Sequence, residues 1–244
     1  MKNKRSEDWK KIWNRKSDIS NLENLKSSNL HKIDGWDNLT EKEYEEIIHS
    51  LISGDELEIK KKNKTIQVAE IGCGSGAFLH SIIKKYKLQN ENVWGVDYSE
   101  KMIDLAKNIL PNCHFENLDI TDDFKSWKLK LKDNSFDIIF SYGVLFYLNS
   151  ETEVLKCLEN MTKFLSPTGS ILIGEVNDFN KKQDYLNIRK KTHTKPSDHL
   201  FLKKATFVEF CKKNNFDLKF KVLPSWYSAS NYRYHVVMKR KEEN

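Results

Sequence analysis

Between residues 65 and 176 the spacing of hydrophobic positions keeps switching between two periods. Short apolar, β-branched runs alternate with stretches whose apolar residues recur every three or four positions, which predicts strands alternating with amphipathic helices. Residues 65–71 predict a first strand, and residues 77–83 open a helix behind it. Residues 92–97 predict a second strand. The helix after it is capped by Ser99, carries Met102, Ile103, Leu105, Ala106 and Ile109 on one face, and is stopped by Pro111. A third strand is expected over 113–118. A fourth, over 136–141, has the near-continuous apolar run of a central buried strand. A helix over 151–165, ended by Ser166-Pro-Thr-Gly169, leads to a fifth strand over 170–175. The chain then predicts a helix over 204–215 and two strands, 216–223 and 232–239, that pair antiparallel across 224–231. Alternation of this kind is the signature of an α/β, doubly wound, mostly parallel sheet. Two segments stand outside it: residues 1–63, helical and bearing Trp9, Trp13, Trp36 and Tyr44, and an irregular insertion over 178–203.

The densest chemistry lies where the first strand ends, in Val-Ala-Glu-Ile-Gly-Cys-Gly-Ser-Gly over 68–76. Gly72, Gly74 and Gly76, with Cys73 among them, let the backbone turn sharply and let a ligand lie against the main chain. The N–H groups at the start of the following helix face that ligand. A dinucleotide fingerprint would place the third glycine one residue later. Glu70, inside the strand end, would repel a pyrophosphate but suit an ammonium or a sulfonium. Asp97 follows the last glycine by about 20 residues, at the end of the second strand, where a carboxylate accepts ribose hydroxyls. It serves either ligand and does not separate them.

These residues together resemble motif I and its partners in the class I S-adenosylmethionine-dependent methyltransferases. The resemblance covers residues 65–176 and, in outline, the terminal hairpin. It implies a Rossmann-like, seven-stranded sheet whose last strand inserts antiparallel, with S-adenosyl-L-methionine as cofactor. It implies that Asp119 meets the adenine amino group with Ile120 or Leu118 packed on the ring, and that Tyr98 and Met102 line the same site. It places the exit of the fourth strand, residues 141–148 with Ser141, Tyr142 and Phe146, beside the sulfonium, where aromatic faces favour a methyl-bearing cation. It makes residues 1–63 a helical lid on a methyltransferase domain spanning 64–244, and makes 178–203 a substrate-side insertion over the carboxyl end of the sheet.

Composition narrows the acceptor only slightly. The net charge of +6 comes from lysines scattered in short groups, not from one arginine-rich stripe; this favours a solvated surface over a nucleic-acid footprint and leaves room for an anionic small substrate. Cys73, Cys113, Cys157 and Cys211 form no C-x-x-C pair, as expected of a reduced cytoplasmic chain without structural zinc. No secretory signal is evident at the start, and the longest apolar run, 138–148, is too short to span a bilayer. The exit loop lacks the Asn/Asp-Pro-Pro-Tyr/Phe sequence with which many nucleic-acid amino methyltransferases hold a flipped base. The expectation is therefore metal-independent, direct methyl transfer to a small molecule, with Tyr142 beside the reacting centre. If the acceptor is a hydroxyl it needs a base. His199, His193, Glu175 and Asp178 are candidates, and His199 is favoured because Leu200 and Phe201 can anchor it. The tail, with Trp226, Tyr227 and Arg233, is similar to small-molecule methyltransferases of surface-glycan biosynthesis, implying a sugar or sugar-derived acceptor. An RNA- or protein-modifying enzyme and a non-catalytic binding module are the alternatives.

Overall fold

The computed structural model describes residues 9, 11–13, 30–54 and 65–241 of the 244-residue chain. Seven strands form one sheet in the order β3-β2-β1-β4-β5-β7-β6. They are β1 (Val68–Ile71), β2 (Val93–Asp97), β3 (His114–Asn117), β4 (Phe136–Tyr142), β5 (Leu165–Asn177), β6 (Phe216–Lys221) and β7 (Arg233–Arg240). The first five run parallel, and β7 inserts antiparallel between β5 and β6. β1 sits in the middle, in register with β2 on one side (Glu70 opposite Gly95) and β4 on the other (Glu70 opposite Phe140). All four of its residues are buried, and β4 is nearly as dry, as the apolar runs predict for strands covered on both faces.

Eight helices flank the sheet among the described residues: α1 (Leu30–Ile33), α2 (Glu41–Ile52), α3 (Ala77–Tyr86), α4 (Glu100–Ile109), α5 (Phe124–Leu131), α6 (Glu151–Lys163), α7 (Lys182–Lys191) and α8 (Lys204–Asn214). The alternation of side chains along each strand divides the core in two. Val68, Ile138, Phe140 and Tyr142 face α3, α4 and the N-terminal helices, while Ala69, Ile71, Ile139 and Ile173 face α5, α6 and α8. The chain order reverses between β1 and β4, and ligands bind outside the strand ends at such a switch point.

The N-terminal segment joins this core. α2 begins with a reciprocal capping box, in which Thr40 N–H donates to Glu43 Oε2 (2.8 Å) and Glu43 N–H donates to Thr40 Oγ1 (3.3 Å). It buries Tyr44, Ile47, Ile48, Leu51 and Ile52 against β5 and β7. Residues 1–8, 10, 14–29 and 55–63 of the expected 1–63 helical segment lie outside the described residues. No helix among the described residues is long and apolar enough to cross a membrane.

Several local expectations need correction. Ser99 stands at the N-cap of α4, but its side chain makes no capping bond; Asp97 Oδ1 instead accepts from Ser99 N–H (2.9 Å). The stretch 166–169, expected only to end the preceding helix, belongs to β5, which starts at Leu165 with its register shifted opposite Phe136 and Ile138. α5 and α7 were not expected from the pattern. α5 buries only Trp127 and Leu131 and α7 only Tyr185, too few apolar positions to show a helical period. The insertion over 178–203 is thus partly helical, and it returns to β5 through a bridge between Asp178 and Leu202.

Leu51 is fully buried between α2 and the sheet. Leu51→Ala should lower the unfolding free energy by about 2–5 kcal/mol, as for other buried leucines. Urea denaturation measures this, and an unchanged midpoint would mean that the N-terminal helices are not part of the cooperative fold.

Candidate functional site

The turn after β1 is fixed by its own amides. Gly72 N–H and Cys73 N–H both donate to the Val96 carbonyl (2.7 and 2.9 Å), and Gly74 N–H donates to Asp97 Oδ2 (3.0 Å). Gly72 and Gly74 have φ of +81° and +52°, a region L side chains rarely enter. A Cβ at Gly72 would lie 2.5 Å from Val144 Cγ2, and one at Gly74 would lie 2.7 Å from Asp34 Oδ1. Strand β2, the β4 exit loop and the N-terminal segment therefore all touch this backbone.

Above the turn opens a pocket of about 990 Å³ including its mouth. Glu70, Gly72, Cys73 and Gly74 reach it from the turn. Asp97, Tyr98 and Met102 reach it from the β2 exit and α4, and Asp119 and Ile120 from the β3 exit. Asp97 bridges the amides of Gly74 and Ser99, while Asp119 Oδ1 accepts from Thr121 N–H and Oγ1 (3.0 and 2.8 Å). The other half of the pocket is aromatic. Trp9, Trp13, Trp36 and Tyr44 come from the N-terminal segment, and Tyr142 and Tyr147 from the β4 exit. Tyr142 stacks on Phe78 (centroids 5.0 Å apart) and packs against Trp36 (5.5 Å), with Tyr44 edge-on to it (6.1 Å).

Three expected cofactor residues lie off this wall. Gly76 caps α3 and faces Ala106 and Leu110. Ser141 points to the opposite face of β4 from Tyr142, and its hydroxyl donates to the Ile71 carbonyl (3.0 Å), tying β4 to β1. Phe146 carries the Arg233 guanidinium over its ring at 4.7 Å.

The expected catalytic pair is split in the same way. Tyr142 is on the wall. His199 is one ring behind it, stacked on Trp9 (4.9 Å) and packed against Phe146 (4.7 Å) and edge-on to Tyr147 (5.3 Å). The other base candidates are engaged elsewhere. Glu175, at φ +66° in a bulge of β5, pairs with Arg233 Nη1 at 2.6 Å. Arg233 Nε also donates to Asn177 Oδ1 (2.9 Å), so this guanidinium is held inside the fold. Asp178 accepts from Asn180 N–H, and His193 is exposed. Trp226 donates to Glu46 at 3.0 Å, and Tyr227 approaches Trp36 at 6.4 Å.

Sequence reasoning missed Asp34. It sits just after α1, lines the pocket, and its Oδ1 accepts from Ser75 N–H at 2.9 Å; nothing in its surroundings along the chain marks it. Burial raises the pKa of Asp34 to about 7, with Asp97 adding to the rise. Burial likewise raises Asp97 to about 6 and holds Glu70 well above the ordinary carboxylate range. The charged side chains on the described wall are all acidic: Asp34, Glu70, Asp97 and Asp119. Glu70 Oε2 is buried with no hydrogen-bond partner among the described residues. A pyrophosphate would be repelled here. A ligand carrying cationic groups is compatible in charge with this acidic wall.

Comparison with known proteins agrees with this chemistry. A family model described as a methyltransferase domain matches residues 62–224. The chain is 36% identical over 112 residues, 44% of its length, to phosphoethanolamine N-methyltransferase 1 of Triticum aestivum. It is 30% identical over 141 residues, 56% of its length, to a tRNA N(3)-methylcytidine methyltransferase of Schizosaccharomyces pombe. It spans only 21% and 43% of those two relatives. In fold it is similar to magnesium protoporphyrin IX methyltransferase from Synechocystis PCC 6803, solved with bound SAH. The TM-score is 0.60 at 14% identity, covering 82% of this chain and 85% of that one.

Two outcomes test the acidic half of the site. Asp97→Ala should weaken S-adenosylmethionine binding by at least about tenfold in calorimetry, because a hydrogen bond to a charged group is worth about 1.5–3 kcal/mol. Undiminished affinity would remove Asp97 from the site. The second concerns pH. Folded Asp97 holds its proton to about pH 6, whereas unfolded it releases it near the ordinary carboxyl value of 3.8, so the folded state binds more protons between these limits. Its contribution to stability falls as pH rises through that window. Ligand-free Asp97→Asn should therefore gain stability relative to wild type between pH 4 and pH 7; urea melts showing a constant difference would contradict this.

Proposed function

The chain belongs to the class I S-adenosylmethionine-dependent methyltransferases, and from that premise we propose that it methylates a small molecule held among the aromatic rings of its pocket, with a hydroxyl of a sugar or sugar-derived metabolite as the acceptor. The observation that carries this reading is the division of the pocket. Carboxylates line the half reached by Glu70, Asp97 and Asp119, and rings line the half reached by Trp36, Tyr44 and Tyr142. Aromatic walls offer flat apolar contact for a ring-shaped acceptor. An anionic acceptor has less support, because Arg233 is tied to Glu175 and Asn177 and no described Lys or Arg lines the pocket.

Bound in the acidic half, the cofactor supplies a methyl group on a positively charged sulfur. The protein's task is alignment, and holding a nucleophile close and in line supplies a large part of the rate. The rings of Trp36, Tyr44 and Tyr142 orient the acceptor and keep water out. Burial lifts the Tyr142 phenol well above its ordinary value, so near neutral pH it keeps its proton and serves as a hydrogen-bond donor. For a hydroxyl acceptor His199 is our candidate base, since it packs on Trp9 and Tyr147, both of which line the pocket. We assign the N-terminal segment the role of a lid, because its rings form much of the acceptor wall.

An RNA base is a second reading, favoured by the same rings, which suit a splayed nucleobase, and by the similarity to a tRNA methyltransferase. The expectation that nucleic acid is not a partner therefore has no support. Incubation with labelled S-adenosylmethionine and fractionated extract separates the readings. Label in low-mass carbohydrate fits the first. Label in RNA, with binding that weakens steeply as salt rises, selects the second. With the acceptor so found, Trp36→Ala should raise its KM about tenfold while cofactor affinity stays within twofold, in line with the cost of losing aromatic contact of about 0.5–1.5 kcal/mol beyond burial. An unchanged KM would take Trp36 out of the acceptor wall.

A further inference from the structure

Strand β5 changes step at Glu175. Ile171 and Ile173 face one half of the core, and strict alternation would send residue 175 after them. Instead the pairing with β7 shifts between Ile173 and Val176, and it is Val176 that rejoins that half. Glu175, at φ +66°, is turned toward Tyr142, which belongs to the other half. A bulge re-aims a side chain in this way, and a positive φ away from glycine costs backbone strain. The residue before it, Gly174, carries no side chain, and a Cβ there would collide with the Tyr142 ring.

The carboxylate so placed is fully buried and clamped. Arg233 Nη1 holds Glu175 Oε2 at 2.6 Å, Arg233 Nε donates to Asn177 Oδ1 at 2.9 Å, and the guanidinium lies over Phe146 at 4.7 Å and Tyr232 at 5.3 Å. That leaves Glu175 Oε1 and the Tyr142 hydroxyl, both buried and neither with a hydrogen-bond partner among the described residues. The two are neighbours. Burial raises the Glu175 pKa, and Arg233 and the Tyr142 hydroxyl oppose the rise. A buried ion pair is a poor source of stability, and β5 pairs with β7 on both sides of the bulge without it. Joining the two strands therefore gives no reason for a strained, charged residue at 175. We propose that Glu175, clamped by Arg233, is a positioning residue for Tyr142: its Oε1 takes the phenol O–H from behind and fixes how the ring faces the acceptor. This rests on the reading of Tyr142 as part of the acceptor wall.

Two readouts test it. The first is NMR of the ligand-free protein, isotope-labelled at tyrosine Cζ. Glu175→Gln should move the Tyr142 resonance, assigned by its loss in Tyr142→Phe, and leave that of Tyr185 in place. The second is transfer of label from S-adenosylmethionine to the extract fraction that accepts it. Tyr142→Phe and Glu175→Gln should each lower kcat at least tenfold, because misplacing the acceptor costs rate, while S-adenosylhomocysteine affinity stays within twofold of wild type. The double variant should match Tyr142→Phe alone within twofold, since Glu175 acts through the phenol. Should Glu175→Gln not melt like wild type, Arg233→Lys, which loosens the clamp, takes its place with the same expected outcomes. A Tyr142 resonance that does not move, or losses that multiply in the double variant, would overturn the positioning role. A wild-type protein that labels no fraction would overturn the proposed activity instead, and the Tyr142 resonance would still decide whether Glu175 holds the ring.

Discussion

The site depends first on three amide groups. Gly72, Cys73 and Gly74 give their N–H donors to the end of β2, two to the Val96 carbonyl and one to the Asp97 carboxylate. This binds the loop after β1 to the strand beside it and fixes where the ribose-class carboxylate stands. It also forces positive φ on the glycines and exposes their bare backbone. Val144 from the β4 exit and Asp34 from the N-terminal segment then close to distances that no side chain at 72 or 74 would permit. One turn thereby sets the spacing of four parts of the chain.

From that geometry follows an electrostatic division. Three acidic groups, Asp34, Glu70 and Asp97, surround the end of the pocket near the turn, and loss of water around them raises the cost of their charge. Folding alone does not compensate them, and Arg233 is committed elsewhere by its contacts with Glu175 and Asn177. A cationic nucleoside supplies what the protein lacks. The opposite end is apolar and aromatic, with Trp36, Tyr44 and Tyr142 in mutual contact. The methyl group passes across the boundary between these two halves, where positioning matters more than added charge.

What was legible in the sequence is what backbone periodicity fixes. The succession of strands, the antiparallel terminal pair, the glycine turn and Asp97 follow once the strands are found, while Asp119 and the insertion of the last strand came from the family resemblance. The residues that failed to reach the wall failed for local reasons. Ser141 and Tyr142 are neighbours on β4, so the pleat sends them to opposite faces and only Tyr142 reaches the pocket. Gly76 is a helix cap, and Phe146 lies under Arg233. His199 was placed from a segment whose path depends on tertiary contacts, and it packs on Trp9 and Tyr147 without itself lining the pocket. Asp34 was beyond sequence reading because its position depends on how the N-terminal segment docks; Trp9, Trp13, Trp36 and Tyr44 were noted in that segment, but which of them meet the pocket depends on the same docking of α2 on β5 and β7.

An acidic pocket end built around a glycine turn suits S-adenosylmethionine. A crystal structure of the protein with S-adenosylhomocysteine tests it most directly. The expected complex has the ribose hydroxyls on Asp97, the adenine beside Asp119 and Ile120, and the amino-acid end over Gly72 and Gly74. Ligand density anywhere else, or a ribose that does not touch Asp97, would contradict it.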